Sequence, residues 1–339
     1  MKDYAHEQPW LPLSETLLEW DEAFHQLMLG DSLRMLAYEK AIKESIRPGD
    51  VVLDLGTGTG ILSLWALQAG ASHVYGIDLD NAILQQAKTR LEQAGFAGRF
   101  EAINRLSYEV ELSQPVDVLI SEIMGNLADN ENFQPILQDG IARFLKPGGL
   151  AIPLSVASYL VPVAAVKAHE HLCRNEVATL NAHYQLAQLC QRKHIKSPFD
   201  LYYDTIIPRH CYISEPALLR QYQGDWSQPG SYTSTLTFTA DKAGCLTGFK
   251  GYFIAQLSRD TVLDISGDGI DQGASSDSWK HAFLPLENPI TLAAGDTINL
   301  AFSRRAAQQG KDFPQIYSWS GAVTRDPQII GDFSQSTGT

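Results

Sequence analysis

The sequence predicts an α/β protein in two unlike halves: a parallel sheet covered by helices, then an antiparallel sheet or barrel. Three observations carry that reading. An apolar strand, Val51 to Leu55, runs straight into three alternating glycines, Gly56, Gly58 and Gly60. Strand and helix patterns then alternate as far as Lys146-Pro147-Gly148-Gly149, the order of a doubly wound sheet. After Pro153 the pattern changes to short alternating strands divided by turn residues.

Taken in order, residues 1–48 form an N-terminal segment. Met1 to Glu19 show little periodicity and are expected to be partly loose. From Trp20 onward Phe24, Leu27, Leu33, Leu36, Ala37 and Ile42 recur at helical intervals, with Asp31 placed to cap a helix between two segments. Pro48-Gly49 ends that lead. Residues 49–153 form the first domain. Ile61 to Ala69 reads as a helix stopped by Gly70, His73 to Asp78 as a strand, and Asn81 to Ala94 as a helix capped by Asp80. Strands over Arg99 to Asn104 and Val116 to Ile120 and a helix over Phe133 to Phe144 follow.

Residues 154–330 form the second domain, with strands expected at 234–239, 251–257, 282–286 and 297–302, and 331–339 as a tail. Within it, about 168–219 reads as an insertion, helical from Leu180 to Leu189 and followed by Tyr202-Tyr203. It is expected to project as an apolar arm, and such an arm usually meets a partner.

Composition bounds the function. Thirty-nine acidic side chains against 26 Lys and Arg give a net charge of −13, which disfavours non-specific nucleic-acid binding and suits a cationic substrate. No apolar run could span a bilayer, and the opening residues do not read as a signal peptide, so a cytoplasmic address away from membranes is expected. The four cysteines lack C-x-x-C spacing, and neither a disulfide scaffold nor a metal site is expected. His169, His171 and Cys173 alternate as if on one strand face, but nothing nearby completes four ligands.

The glycines remove side chains from a tight strand-to-helix turn, so a ligand can approach the backbone and the free N–H groups of the next helix. The dinucleotide fingerprint would need glycine at position 61, where Ile61 stands. Asp78 ends the second strand, where a carboxylate can accept both hydroxyls of a ribose. Asp54, the G-x-G-x-G turn and this second acid together resemble the class I S-adenosylmethionine-dependent methyltransferases.

Farther on, Ser121-Glu122-Ile123-Met124-Gly125 follows a predicted strand, and Glu131 stands nine positions beyond Glu122. This resembles the double-E loop of the protein arginine methyltransferase family. His25-Gln26-Leu27-Met28-Leu29-Gly30-Asp31-Ser32-Leu33-Arg34 is similar to that family's H-x-x-M-L-x-D-x-x-R helix, and Ser278-Trp279-Lys280 to its threonine-histidine-tryptophan loop.

The resemblance covers nearly the whole chain. It implies a Rossmann-like S-adenosylmethionine-binding domain followed by a β-barrel with an inserted helical dimerisation arm, working as a homodimer. It implies transfer of a methyl group to a guanidino nitrogen of arginine in a peptide, a protein or the free amino acid. Glu122 and Glu131 are then the catalytic pair. His25, Arg34, Asp54, Gly56, Gly58, Asp78, Ser107 and Glu122 would hold the cofactor, Arg34 on its carboxylate and Ser107 near its adenine. Met124, Asp129, Ser278 and Trp279 would meet the substrate. A guanidinium presents five N–H donors in a planar fork, which two carboxylates match.

Two departures matter. Ser278 replaces the family's histidine, and Ile123, Asn126, Asp129 and Asn130 replace the usual aromatic residues of the loop. Asp129, with Asn126 or Asn130, is therefore expected to meet a second polar group of a small substrate, such as the ammonium of free arginine. The alternatives are a small-molecule N- or O-methyltransferase on the same fold and a non-catalytic scaffold.

Overall fold

The computed structural model describes residues 5–14, 27–180, 185–269, 276, 278–306 and 315–338. His25 lies outside them. Helix α1, Ser32–Ser45, is capped as expected: the Asp31 carboxylate accepts the Arg34 N–H at 3.2 Å. It buries Tyr38, Ala41 and Ile42.

Five parallel strands follow: β1 (Val51–Leu55), β2 (His73–Asp78), β3 (Phe100–Asn104), β4 (Val116–Ser121) and β5 (Leu145–Ile152). They lie in the order β3-β2-β1-β4-β5. Helices α2 (Ile61–Ala69), α3 (Asn81–Gln93) and α4 (Phe133–Phe144) connect them. Strand order reverses beside β1, so the crevice at its carboxyl end, between β1 and β4, is where such a sheet binds ligands. Every residue of β1 is buried, as a central parallel strand requires. Gly60 opens α2 at φ +75°, and a Cβ there would stand 2.8 Å from Ala87 Cβ, so the third glycine serves close helix packing.

The second half contains β6 (Ser155–Val163), α5 (Val166–Cys173), α6 (Leu186–Lys193), β7 (Tyr203–Thr205), β8 (Ala217–Gln223), β9 (Tyr232–Thr239), β10 (Gly244–Gln256), β11 (Val262–Asp264), β12 (His281–Leu292), β13 (Thr297–Ala306), β14 (Gln315–Arg325) and β15 (Gln328–Ser336). They form two antiparallel sheets, β7-β12-β10-β6-β8 with β11 on β10, and β15-β14-β13-β9. No ladder joins the described strands of one sheet to the other, so the barrel is not closed by continuous hydrogen bonding. Phe238, Phe249, Leu284, Leu300, Phe302 and Trp319 fill one apolar cluster of this half. A second cluster runs from β1 and β4 into Phe253, Trp279 and Phe283, so the two halves share a core.

Four expectations are corrected here. Residues 5–14 are held rather than loose: Trp10 and Asp204 exchange backbone hydrogen bonds of 2.8 and 3.0 Å, and Leu11 N–H reaches Ala178 O at 2.9 Å. Residues 331–336 are the end of β15 rather than a tail, because that strand pairs with β14. His169, His171 and Cys173 lie on a helix, α5, so their alternation spreads them around its axis. The insertion carries the two helices α5 and α6, but its Leu172, Leu189, Phe199, Leu201 and Tyr203 are buried in the shared core rather than presented outward.

Candidate active site

Three segments deliver the site to the carboxyl edge of β1 and β4, around a cavity of about 600 Å³. The first is the glycine turn. Gly56 and Gly58 line the cavity with φ of +78° and +50°, and a Cβ on Gly56 would stand 2.8 Å from Ile123 Cγ2. Asp78 also lines it, accepting Gly58 N–H at 2.8 Å on one oxygen and Asp80 N–H at 2.9 Å on the other. Ser107, at the start of a 3-10 turn, contributes to the same wall.

Asp54 does not. It is fully buried beneath the turn, where one oxygen accepts Thr57 Oγ1 (2.8 Å), Ser63 Oγ (2.6 Å) and Ser63 N–H (3.1 Å). Burial pushes its carboxyl up to about 6, against those hydrogen bonds. Asp54 shapes the glycine turn from behind, which corrects its assignment as a cofactor ligand.

The second segment is α1 with the loop around Trp279. Arg34 forms an ion pair with Glu122, and its guanidinium lies 5.3 Å from the Trp279 ring centre. Trp279 Nε1–H donates to Met124 O at 2.7 Å, and Met124 N–H to Glu122 Oε1 at 3.3 Å. Ser278 borders the cavity, but its N–H and hydroxyl both donate to Asp31, at 2.9 and 2.6 Å, and Ser276 hydroxyl joins them. The serine that replaces the family's histidine thus ties the tryptophan loop to the cap of α1.

The third segment follows β4. Glu122, Met124, Asn126, Asn130 and Glu131 all line the cavity. The loop is tightly wound: Ala128 has φ +64°, and Asn130 Oδ1 accepts Leu127 N–H at 3.0 Å. A side chain at Gly125 would collide with the Asn130 amide, so the chain needs glycine there.

Asp129 points away from the cavity, correcting the expectation that it meets substrate. Only 2% exposed, it accepts hydroxyls from Tyr222 (2.8 Å), Tyr232 (2.8 Å) and Tyr317 (2.5 Å), with Arg304 Nε 3.6 Å away. These partners come from β8, β9, β14 and β13, so Asp129 clamps the loop of the first half onto the sheets of the second. The polar wall expected of Asp129 is supplied instead by Asp204 of β7, which lines the cavity and accepts Asn126 Nδ2 at 2.7 Å. No local pattern marks Asp204, because its relation to the loop is made only by the sheet that carries it.

Electrostatically the site favours a cation. Burial raises the Glu122 carboxyl, opposed by Arg34 and by Met124 N–H. Glu131 is pushed up to about 8, first by burial and then by the charge of Glu122. A guanidinium entering between the two would relieve both effects.

Comparisons with known proteins agree with this layout. Residues 35–155 match a family model described as ribosomal protein L11 methyltransferase, and residues 155–320 match one described as the PRMT5 oligomerisation domain. A probable protein arginine N-methyltransferase 6 from Arabidopsis thaliana is 35% identical over 172 residues, which is 49% of this chain and 39% of that relative. An arginine N(omega)-methyltransferase from Streptomyces achromogenes subsp. streptozoticus is 27% identical over 283 residues, 82% of this chain and 74% of that one. The solved structure of the Trypanosoma brucei PRMT1 enzyme-prozyme heterotetrameric complex with AdoHcy shares the fold, with a TM-score of 0.76 at 20% identity, covering 93% of this chain and 98% of its own.

Proposed function

Because this chain belongs to the protein arginine methyltransferase family, we propose that it transfers a methyl group from S-adenosylmethionine to a guanidino nitrogen of an arginine-containing acceptor. The observation that carries the reading is the placement of Glu122 and Glu131 in one cavity, with Arg34 held on Glu122.

The residues present fit the cofactor. Positive φ at Gly56 and Gly58 leaves a cradle without side chains, and a Cβ on Gly58 would meet nothing within 4 Å. Asp78 is the acceptor for ribose hydroxyls, Ser107 belongs to the adenine end, and Arg34 is the cation for the methionine carboxylate. When bound, S-adenosylmethionine supplies an electrophilic sulfonium methyl.

The chain's own residues do the rest. Glu122 and Glu131 grip the guanidinium by its N–H groups and draw its positive charge away from the nitrogen to be methylated. Trp279, fixed by Met124 O, and Met124 itself wall the reacting nitrogen. Methylation leaves that nitrogen with a proton to lose, and the Glu131 carboxylate, with its high proton affinity, takes it.

The pH dependence tests this directly. Below about 8 Glu131 in the substrate-free enzyme is protonated and neutral, and above that value it is a carboxylate. The kcat/KM for a guanidino acceptor should therefore rise as pH climbs through about 8 and then level off, and Glu131→Gln should remove the rise. A rate independent of pH between 6 and 9 would contradict the assignment. The folded state also holds the Glu131 proton more tightly than the unfolded chain. This carboxyl therefore lowers stability as pH rises from the ordinary carboxylate range toward 8.

We also place the enzyme in the cytoplasm as a homodimer, without a nucleic-acid or membrane partner. The match of residues 155–320 to an oligomerisation domain supports the dimer, as does Leu180, 40% exposed on the insertion. The net charge of −13 supports the exclusion of nucleic acid. No helix among the described residues is long and apolar enough to cross a membrane.

A further inference from the structure

We infer that Glu7, His210 and Cys211 form a site for a zinc-type divalent ion, which fastens residues 5–14 to the second half of the chain.

Glu7 stands near the start of the chain, and His210 and Cys211 lie on the 3-10 turn Arg209–Cys211 between β7 and β8, so no sequence spacing marks the set. The fold brings them together. One carboxylate oxygen, one imidazole nitrogen and the thiol sulfur all lie within 4.8 Å of one another. Donors of a tetrahedral ion bound at about 2.0–2.3 Å stand roughly 3.5 Å apart, so small side-chain rotations close the set on an ion.

The main chain holds two of the ligands in place. Glu7 N–H donates to Ile206 O at 2.9 Å, its carboxylate accepts Lys167 N–H at 2.9 Å, and Cys211 O accepts Ala164 N–H at 2.8 Å. Glu7 has φ +61°, in the left-handed region that few residues other than glycine adopt, and such conformations gather at ligand clamps. Glu7 and Cys211 are 7% and 3% exposed. The His210 ring is exposed and makes no hydrogen bond among the described residues, so its nitrogens are available.

The donor types choose the ion. Thiolate, imidazole and carboxylate are the ligands of zinc, and three of them leave a fourth position, on the exposed side of His210, for water. A thiolate disfavours magnesium and calcium. Without an ion the Cys211 thiol donates to Glu7 and is pushed up to about 11, first by burial and then by the Glu7 charge. A dication that displaces this proton is balanced by the thiolate and the Glu7 carboxylate together. Of the neighbouring cations, Arg209 is paired with Asp268 and Glu215. Lys250 is pushed down to about 7 by burial and carries only part of a charge at neutral pH. Lys242 donates to His210 O at 2.8 Å and is exposed, so solvent screens it.

An ion here has a structural consequence. Trp10 pairs with Asp204 farther along the same segment, and Leu13 and Ser14 reach the cavity wall. Fixing Glu7 secures the other end of that segment.

The test titrates the full chain, stripped of metal by a chelator, with cobalt(II) as a spectroscopic stand-in for zinc. A thiolate-to-cobalt charge-transfer band should appear with the visible bands of a four-coordinate ion, saturate at one cobalt per chain and vanish when zinc is added. Cys211→Ser should abolish the thiolate band. His210→Ala and Glu7→Gln, which keeps an acceptor for Lys167 N–H, should each weaken cobalt binding by at least about 10-fold. Cys173→Ser should change nothing, although Cys173 lies 3.6 Å from His169 and offers the rival thiol. Zinc should also slow amide exchange at Glu7 and Trp10. No thiolate band in the wild type, a band that survives Cys211→Ser, or one lost with Cys173→Ser would overturn the inference. So would unchanged exchange at Glu7 in the zinc-saturated protein. If Cys211→Ser does not fold, His210→Ala decides, since it removes an exposed side chain, and wild-type cobalt affinity in that variant would overturn the site.

Discussion

Glu122→Gln is expected to lower kcat for guanidino methylation by about 10²- to 10³-fold, the size of effect seen when one preorganised group at a developing charge is removed. At 1.36 kcal/mol per decade this is about 3–4 kcal/mol of transition-state stabilisation. The substitution keeps the shape of the side chain and removes its charge. In the protein that charge is shared, since Glu122 pairs with Arg34 and receives Met124 N–H while facing the substrate cavity. The glutamine leaves Arg34 without its carboxylate, so the cationic side of the site gains freedom as the anionic side weakens. Cofactor affinity should accordingly hold or tighten while transfer collapses. Equilibrium binding and single-turnover rates on the same preparation separate these, and loss of cofactor binding in step with rate would show that Glu122 serves only to hold Arg34.

The second large effect concerns stability. Asp129→Ala should destabilise the protein by about 3–5 kcal/mol, the usual result of removing one member of a buried ion pair. Asp129 and Arg304 are both 3% exposed in their side chains, and three tyrosine hydroxyls converge on the same carboxylate. Burial and the Asp129 charge hold the Tyr222 and Tyr232 hydroxyls in their protonated, donating form. Alanine leaves those three donors without their shared acceptor and the guanidinium without its counter-ion, held only by the neutral oxygens of Gly230, Asn132 and the residue 129 backbone. Asp129→Asn keeps an oxygen for part of the cluster and should lose less. Because the clamp joins the loop bearing Glu131 to β8, β9, β13 and β14, Asp129→Asn should also lower kcat more than it changes KM. Denaturant unfolding with cofactor absent measures the first effect, and steady-state kinetics the second.

What was legible in the sequence was the chemistry carried by contiguous residues. Strand β1 and its glycines, Asp78 at the end of β2, and Glu122 to Glu131 after β4 are each written in one stretch, since strand, turn and ligand contact follow one another along the chain. The capping of α1 by Asp31 was equally local. What was not legible depends on residues far apart.

A carboxylate two positions before Glu131 could as well have faced the cavity, and only the placement of Tyr317, 188 positions away, turns Asp129 into a clamp. Asp204 sits in a three-residue strand that no periodicity announces, and it reaches the cavity because β7 pairs with β12. Residues 5–14 looked irregular because they borrow their order from that same strand. The role of Asp54 is hidden in the sequence for a subtler reason. A buried acid at the end of β1 belongs to the turn, but the chain alone does not say whether it faces the ligand or supports the backbone that does.

The most direct measurement is the identity of the product. Purified protein incubated with methyl-labelled S-adenosylmethionine and L-arginine, and the product fragmented in a mass spectrometer, locates the label. The geometry of Glu122 and Glu131 predicts it on a terminal guanidino nitrogen. Label on an α-amine, an oxygen or another non-guanidino acceptor would contradict the central claim that the paired glutamates present a guanidinium for methylation.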